Sequence, residues 1–360
     1  FLDNIYMDNQ KVKLGITQGD PSGVGMELIL RVFADQYIYK YCTPVVYGNT
    51  KSFIAWKKHL NLQEPMYHLV NSASEAQEGK LNWVVSSDAV FELTIGSASQ
   101  DSGKEALLAI DKAIADAHNL DALVTAPIDK STVAPHSPNF TGHTGYLADA
   151  LGAKSHAMIL ASEDLRVALV TEHVPITQLS KFLSQEKIEQ KIEVVHDSLR
   201  NDFNVLKPRI AILGLNPHAG DQGLLGDEET KIIAPAIASH FKMGKLVYGP
   251  YSADSFFGSG NYKNFDAVIA MYHDQGLIPF KTMAFMDGVN VTAGLSIVRT
   301  SPDHGTAYDI AGKMIADPSS MRAAVFEAIH LVRNRKQFVA DFENPLEFAE
   351  LRRERFRIDF

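Results

Sequence analysis

Short apolar runs rich in β-branched residues recur along the chain and stop at Gly, Asp, Asn or Pro. Between many of them lie stretches with helical periodicity and helix-forming residues. Runs of the first kind suit buried strands and stretches of the second suit helices with one apolar face. The pattern predicts strands at Val12–Thr17, Pro44–Tyr47, Ala122–Thr125, Met158–Leu160, Arg166–Val170, Arg209–Leu213, Lys245–Tyr248, Asp266–Met271 and Val291–Ile297. Helices are predicted at Gly25–Tyr37, Lys104–His118, Gly145–Leu151, Glu186–Phe203, Glu228–Phe241, Thr306–Met314 and Ser319–Arg333. This alternation is α/β grammar. The mixed segment from Val70 to Glu92 reads as a hairpin or a peripheral excursion, and LEFAELRRERFRIDF as a charged helix to about Arg355 with a short terminal strand.

Open α/β sheets place ligands beyond the carboxyl ends of their strands, so the polar residues there carry more information than the runs themselves. The ends read GITQGDPSGVG, ALVTAPIDK, ALVTEHVP, ILGLNPHAG and VIAMYHDQG, and the last three each present a histidine. His173, His218 and His273 would therefore meet at one cleft. Imidazole suits Zn, Co, Ni or Fe, and three imidazoles with one open position form a recognised catalytic arrangement. Separations of 45 and 55 residues make no local metal motif, so loop histidines serving as caps or backbone donors remain the competing reading.

The 360 residues suffice for two domains, or for one domain with a large insert. With 43 acidic against 34 basic side chains the formal charge is -9, and no basic tract suggests a nucleic-acid partner. No apolar stretch approaches the roughly 18 residues of a membrane span, and FLDNIYMDNQ lacks the order of a secretory signal, so a cytoplasmic protein without membrane contact is expected. Cys42 is the only cysteine, which excludes an internal disulfide and leaves nitrogen and oxygen as ligands for any metal.

Other segments offer polar groups in dense order. GDPSGVGMEL turns into a helix whose first N–H groups suit an anion, although the glycines do not spell GxGxxG and no GxxxxGK[ST] loop exists. His143 and Thr144 precede a helix, with Thr144 a simple N-cap in the plainest reading. Asp227, Glu228 and Glu229 are expected to cap the helix that follows NPHAG. In MYHDQGLIPFK, Asp274 would orient His273 and Lys281 would meet an anion; Asn290 and Arg299 add an amide and a guanidinium. His304, Gly305 and Thr306 are expected to open a helix, with Asp309 beyond, around a planar ligand and its hydroxyls.

GDPSGVG, TAPIDK, FTGHTGYLAD, NPHAGDQGLLGDEE, YHDQGLIPFK and SPDHGTAYDIAGK, in this order, together resemble the 4-hydroxythreonine-4-phosphate dehydrogenase family of pyridoxal phosphate biosynthesis. The resemblance covers about Lys11 to Arg333. It implies a two-domain α/β/α architecture similar to isocitrate and isopropylmalate dehydrogenases, with the active-site cleft between the domains. We place an outer domain at 11–133 plus 288–360 and a central domain at 134–287. The resemblance further implies a homodimer with its site at the subunit boundary, a nicotinamide (NAD or NADP), and one divalent metal (Zn, Co, Mg or Mn) on His173, His218 and His273. His143, Thr144, Lys281, Asn290, Arg299 and Asp254 match substrate-binding positions, and His304, Gly305, Thr306, Ala307 and Asp309 resemble the adenosine-side loop. The implied reaction oxidises and decarboxylates 4-phosphooxy-L-threonine to 3-amino-2-oxopropyl phosphate; no general base is assigned. The alternatives are dehydrogenation of 4-phosphoerythronate or phosphothreonate, and a silent small-molecule-binding homologue. Gln18, Asp20, Asp129 and Met314 depart from the family's usual text and blur the substrate assignment.

Overall fold

The computed structural model describes residues 11–63, 65–138, 140, 142–284 and 287–344. The strands are β1 Val12–Thr17, β2 Cys42–Gly48, β3 Tyr67–Val70, β4 Leu81–Val85, β5 Ala122–Thr125 and β6 Ala157–Ala161. They continue with β7 Arg166–Leu169, β8 Arg209–Leu213, β9 Leu246–Tyr251, β10 Ala267–Ala270, β11 Val289–Ala293 and β12 Val298–Pro302. All twelve join one sheet in the order β3-β4-β2-β1-β5-β12-β11-β6-β7-β10-β8-β9.

The sheet changes polarity in its middle. The β3 to β12 half is parallel, and so is the β7 to β9 half. Between them β11 pairs antiparallel with both β12 and β6, and β6 pairs antiparallel with β7. The two parallel halves therefore run in opposite directions. The carboxyl ends of β1 and β5 lie at one edge of the sheet and those of β7, β8 and β10 at the opposite edge, so the five polar strand ends are not equivalent.

Side-chain alternation then separates the two faces. On one face Leu14, Val124, Val298, Val291, Ile159 and Ala168 belong to a single buried core that reaches across both halves beneath the helices Gln185–Asn201 and Ser319–Glu343. On the other face there are two separate cores. One gathers Val45, Leu107, Leu123 and Leu147, and the other Val167, Leu169, Leu213 and Phe280. Between these cores the second face of β12, β11 and β6 carries Arg299, Asn290, Thr292 and Met158, and becomes the floor of a cleft. Helix His143–Ala150 packs with the first half through Leu147 and Ala148.

Several expectations are corrected. Val291–Ile297 is not one strand: β11 ends at Ala293, and the chain turns at Gly294 (φ +89°) into antiparallel β12. The 70–92 region is not a hairpin, because β3 and β4 pair in parallel at the sheet edge. Thr306–Met314 is a run of turns rather than a helix, with positive φ at Ala307, Gly312 and Met314 breaking any continuous helical path. The predicted helix from Glu228 begins as a π turn, Glu229–Ile233, and continues as Ala234–Lys242. LEFAELRRERFRIDF lies outside the described residues. Cys42 is buried, and burial pushes its thiol up to about 12. Among the described residues no helix is long and apolar enough to cross a membrane.

Candidate active site

The cleft encloses about 380 Å³. Hollows of about 570 and 670 Å³ exist elsewhere, but they contain none of the motif residues singled out above. Chemistry rather than volume selects the site.

Its walls follow from the two periodicities. On the floor, Asn290 and Thr292 of β11 stand opposite Ser301 and Arg299 of β12, one residue skipped each time, so all four share a face. On one wall His273, Leu277 and Lys281 recur every fourth residue along helix His273–Ala284 and line the cleft together. The opposite wall is Thr125 at the end of β5, Lys130, and His143 and Thr144 at the start of helix His143–Ala150. Thr144 does not cap that helix: Gly142 stands at the cap, and the Thr144 hydroxyl lies 3.5 Å from Thr292 Oγ1.

One end of the cleft is buried and polar. Arg299 is 2% exposed; its Nη1 donates to Thr292 Oγ1 (2.9 Å) and its Nη2 to Thr125 Oγ1 (2.6 Å). Burial pushes the guanidinium down to about 9, still charged at neutral pH. Burial, reinforced by Arg299 and Lys130, pushes His143 well below the usual histidine value and keeps its ring neutral. Buried polar atoms without a hydrogen-bond partner among the described residues include His143 Nε2, Asn290 Oδ1, Arg299 Nε and His304 Nε2, and all four residues line this cleft. Orphaned buried groups are costly, and their convergence marks a place built for a polar ligand. Lys281 lies 3.1 Å from Asp303, which also lines the cleft.

The other end holds His173 and His273, ring centroids 5.8 Å apart. Two imidazoles bound at about 2.1 Å to one tetrahedral cation would have centroids roughly 5 Å apart, so the pair fits a shared metal with a small adjustment. His273 Nδ1 is 2.7 Å from Asp274 Oδ1, which leaves Nε2 as the ring nitrogen outside that contact. Burial pushes His173 down, with Lys130 and His273 adding to it against Glu172, so its neutral, metal-binding form is favoured.

His218 and Asp254 do not line the cleft. His218 is exposed, in a loop where residues 218–222 all have positive φ. Asp254 sits in the first turn of helix Ala253–Gly258, within electrostatic reach of His218; the Ser252 hydroxyl, followed by the Ser255 N–H, holds its carboxyl below the usual range. Among the described residues no group of three or more His, Cys, Asp or Glu side chains is assembled to hold a metal. The acidic residues after NPHAG do not cap: the Asp227 carboxylate pairs with Lys231, Glu229 accepts from the Asn216 N–H and side-chain amide, and Glu228 accepts from the same amide, fastening the loop.

Of the adenosine-side residues, His304 and Gly305 line the cleft. Thr306 O accepts from Val24 N (2.9 Å), Ala307 takes φ +41°, and Asp309 is exposed. Tyr308 donates to buried Asp20 (2.8 Å) and Gly312 N to buried Glu27 (2.8 Å), so the segment is strapped to the β1 turn and the helix Gly25–Phe33. The orphaned Nε2 of His304 beside open space at Gly305 is compatible with a cofactor edge there. Sequence reasoning passed over Thr125, Lys130, Glu172 and Asp303, which line the cleft, and Thr292, which accepts from Arg299; the alternation V-N-V-T in β11 was the available signal for Thr292.

The sequence model of the pyridoxal phosphate biosynthetic protein PdxA matches residues 40–328. The chain is 47% identical over 343 residues to a 4-hydroxythreonine-4-phosphate dehydrogenase of Bacteroides thetaiotaomicron, covering 94% of each. It is 37% identical, over 90% of this chain and 98% of the other, to an Oceanobacillus iheyensis protein named provisionally as a D-threonate 4-phosphate dehydrogenase. A crystal structure of 4-hydroxythreonine-4-phosphate dehydrogenase from Klebsiella pneumoniae superposes with a TM-score of 0.80 at 34% identity, over 91% of this chain and 99% of that one.

Proposed function

The chain belongs to the pyridoxal phosphate biosynthetic protein PdxA family, and on that premise we propose that it is an NAD(P)- and divalent-metal-dependent dehydrogenase of 4-phosphooxy-L-threonine. Oxidation at C3 would give a 3-keto acid, and loss of its carboxylate as carbon dioxide would leave 3-amino-2-oxopropyl phosphate. The observation that carries this reading is Arg299, a buried cation without an internal counter-ion among the described residues, surrounded by orphaned polar atoms. A phosphorylated acid supplies the missing charge.

In this reading Arg299, Lys281, Asn290, His143 and Thr144 bind and orient the substrate. Lys281 exchanges Asp303 for a substrate oxyanion, and neutral His143 presents Nε2 to a substrate oxygen or proton without adding charge. His173 and His273 hold the cation, with Asp274 fixing the His273 ring. We assign His218 and Asp254, which stand together outside the cleft, to the cleft of a partner subunit in a homodimer. His304 to Asp309 flank the nicotinamide dinucleotide. Held by His173 and His273, a divalent cation would supply Lewis acidity at the substrate hydroxyl, and a nicotinamide beside His304 would supply the hydride acceptor. We also propose two domains divided between β11 and β6, moving the boundary expected between 133 and 134 to follow Leu151, because helix His143–Ala150 packs with the outer half. A cytoplasmic location accords with the single buried cysteine.

The test is a panel of 4-phosphooxy-L-threonine, 4-phosphoerythronate and both phosphothreonates, with NAD or NADP, before and after chelation. Turnover of the first compound, lost on chelation and regained with Zn, Co, Mn or Mg, is expected. Preference for a phosphothreonate would move the chain to the function named for the Oceanobacillus relative. No turnover of any member would favour a silent binding protein.

A further inference from the structure

We propose that Thr125 and Thr292 are positioning residues that aim the Arg299 guanidinium without neutralising it, reserving its charge for a substrate oxyanion. This rests on the reading of the cleft as a site for a phosphorylated acid. The three residues come from adjacent strands β5, β12 and β11, and face the same side of the sheet. Thr292 is the direct cross-strand partner of Arg299. Each threonine accepts one N–H, at 2.9 Å from Nη1 and 2.6 Å from Nη2. A guanidinium has five N–H groups, and Nε is buried without a partner among the described residues.

The choice of residue type is the argument. A buried arginine is ordinarily matched by a carboxylate, because an isolated charge is expensive away from water. Here no carboxylate pairs with Arg299 among the described residues, and both fixed partners are neutral hydroxyls. A hydroxyl oxygen fixes the plane of the fork as a carboxylate oxygen would, yet leaves the full positive charge available. Because each threonine accepts from Arg299, its own proton remains free to point elsewhere. Thr292 lies 3.5 Å from the Thr144 hydroxyl, so its orientation is tied to the helix that presents His143. The floor thus offers an oriented, unspent cation that an arriving oxyanion engages without displacing an internal anion.

The experiment compares the parent protein with Thr125→Val, Thr292→Val, Thr292→Ser and Thr292→Asp. Inorganic phosphate binding is measured by calorimetry, kcat and KM with 4-phosphooxy-L-threonine, and folding by thermal melt. The valine variants keep the shape and should weaken phosphate binding and raise KM on the order of tenfold, with kcat changed less. Thr292→Ser should recover most of the loss. Thr292→Asp, which supplies the internal counter-ion, should abolish phosphate binding while melting no lower than the parent. Valine variants that match the parent in phosphate affinity and KM, an aspartate variant that still binds phosphate, or a parent that binds none would each overturn the proposal. A parent that binds phosphate but turns over no substrate would instead sink the enzymatic reading and leave this one standing.

Discussion

The two ends of the cleft are built on opposite plans. The Arg299 end is finished within one chain: its cation is buried, both threonine partners are in place, and His143 is held neutral by its surroundings. The histidine end is open. His173 and His273 approach one another, while His218 and Asp254 remain together outside the cleft lining. The difference teaches that the proposed substrate-binding floor is preorganised by the sheet, whereas the proposed cation site depends on loops at the far edge and, in our reading, on a second subunit.

The strongest way to break that contrast is a mixing experiment. His218→Ala and Arg299→Met should each be inactive alone, but co-refolded in equal amounts they should regain about a quarter of parental sites if His218 serves a partner's cleft across a two-fold interface. No recovered activity would sink the shared-site reading. Next in size, Arg299→Met should lower kcat/KM by about 3 kcal/mol, a factor of 100 or more, without lowering the melting temperature, because it removes a buried charge that has no counter-ion among the described residues. A clear drop in melting temperature would mean that Arg299 serves stability. At the open end, Asp274→Asn should weaken Zn or Co affinity roughly tenfold to a hundredfold in direct titrations and leave phosphate binding unchanged. Equal loss at both ends would erase the distinction between them.

The smallest effect concerns pH. His143, His173 and His304 are all depressed in the folded chain, chiefly by burial, so the unfolded chain binds more protons as pH falls below its histidine value of about 6.5. Stability from this source is complete above that pH and declines as pH drops toward the folded values. Thermal melts between pH 8 and 5 should show the decline, and His143→Gln should flatten it. A melting temperature that rises with acid would reverse the assignment.

Where local chemistry dictated the outcome, the sequence was a good guide. β1, β5 and β8 begin and end where their apolar runs do, since a buried parallel strand needs little beyond such a run. His143, Thr144, Lys281, Asn290 and Arg299 all reach the cleft. What escaped was set by partners distant in the chain. The antiparallel joining of β11 to β6 depends on pairing between residues more than a hundred positions apart, as in Val291 with Ile159. Thr306–Met314 has helical spacing, but the Tyr308 hydroxyl and the Gly312 N–H answer instead to Asp20 and Glu27. Glu228 and Glu229 looked like caps because the asparagine that claims them lies twelve and thirteen residues upstream. Thr125 and Thr292 looked like ordinary strand residues until Arg299 was placed between them.

Cys42 carries a practical consequence. Its sulfur is sealed within the larger core at the start of β2, beneath Ile38, and its thiolate is strongly disfavoured there. Alkylating reagents should therefore pass over the native fold and mark only molecules in which the outer half of the sheet has come apart. Labelling kinetics at this lone thiol would clock that opening directly, with no dye or tag added, and would show whether an occupied cleft slows it.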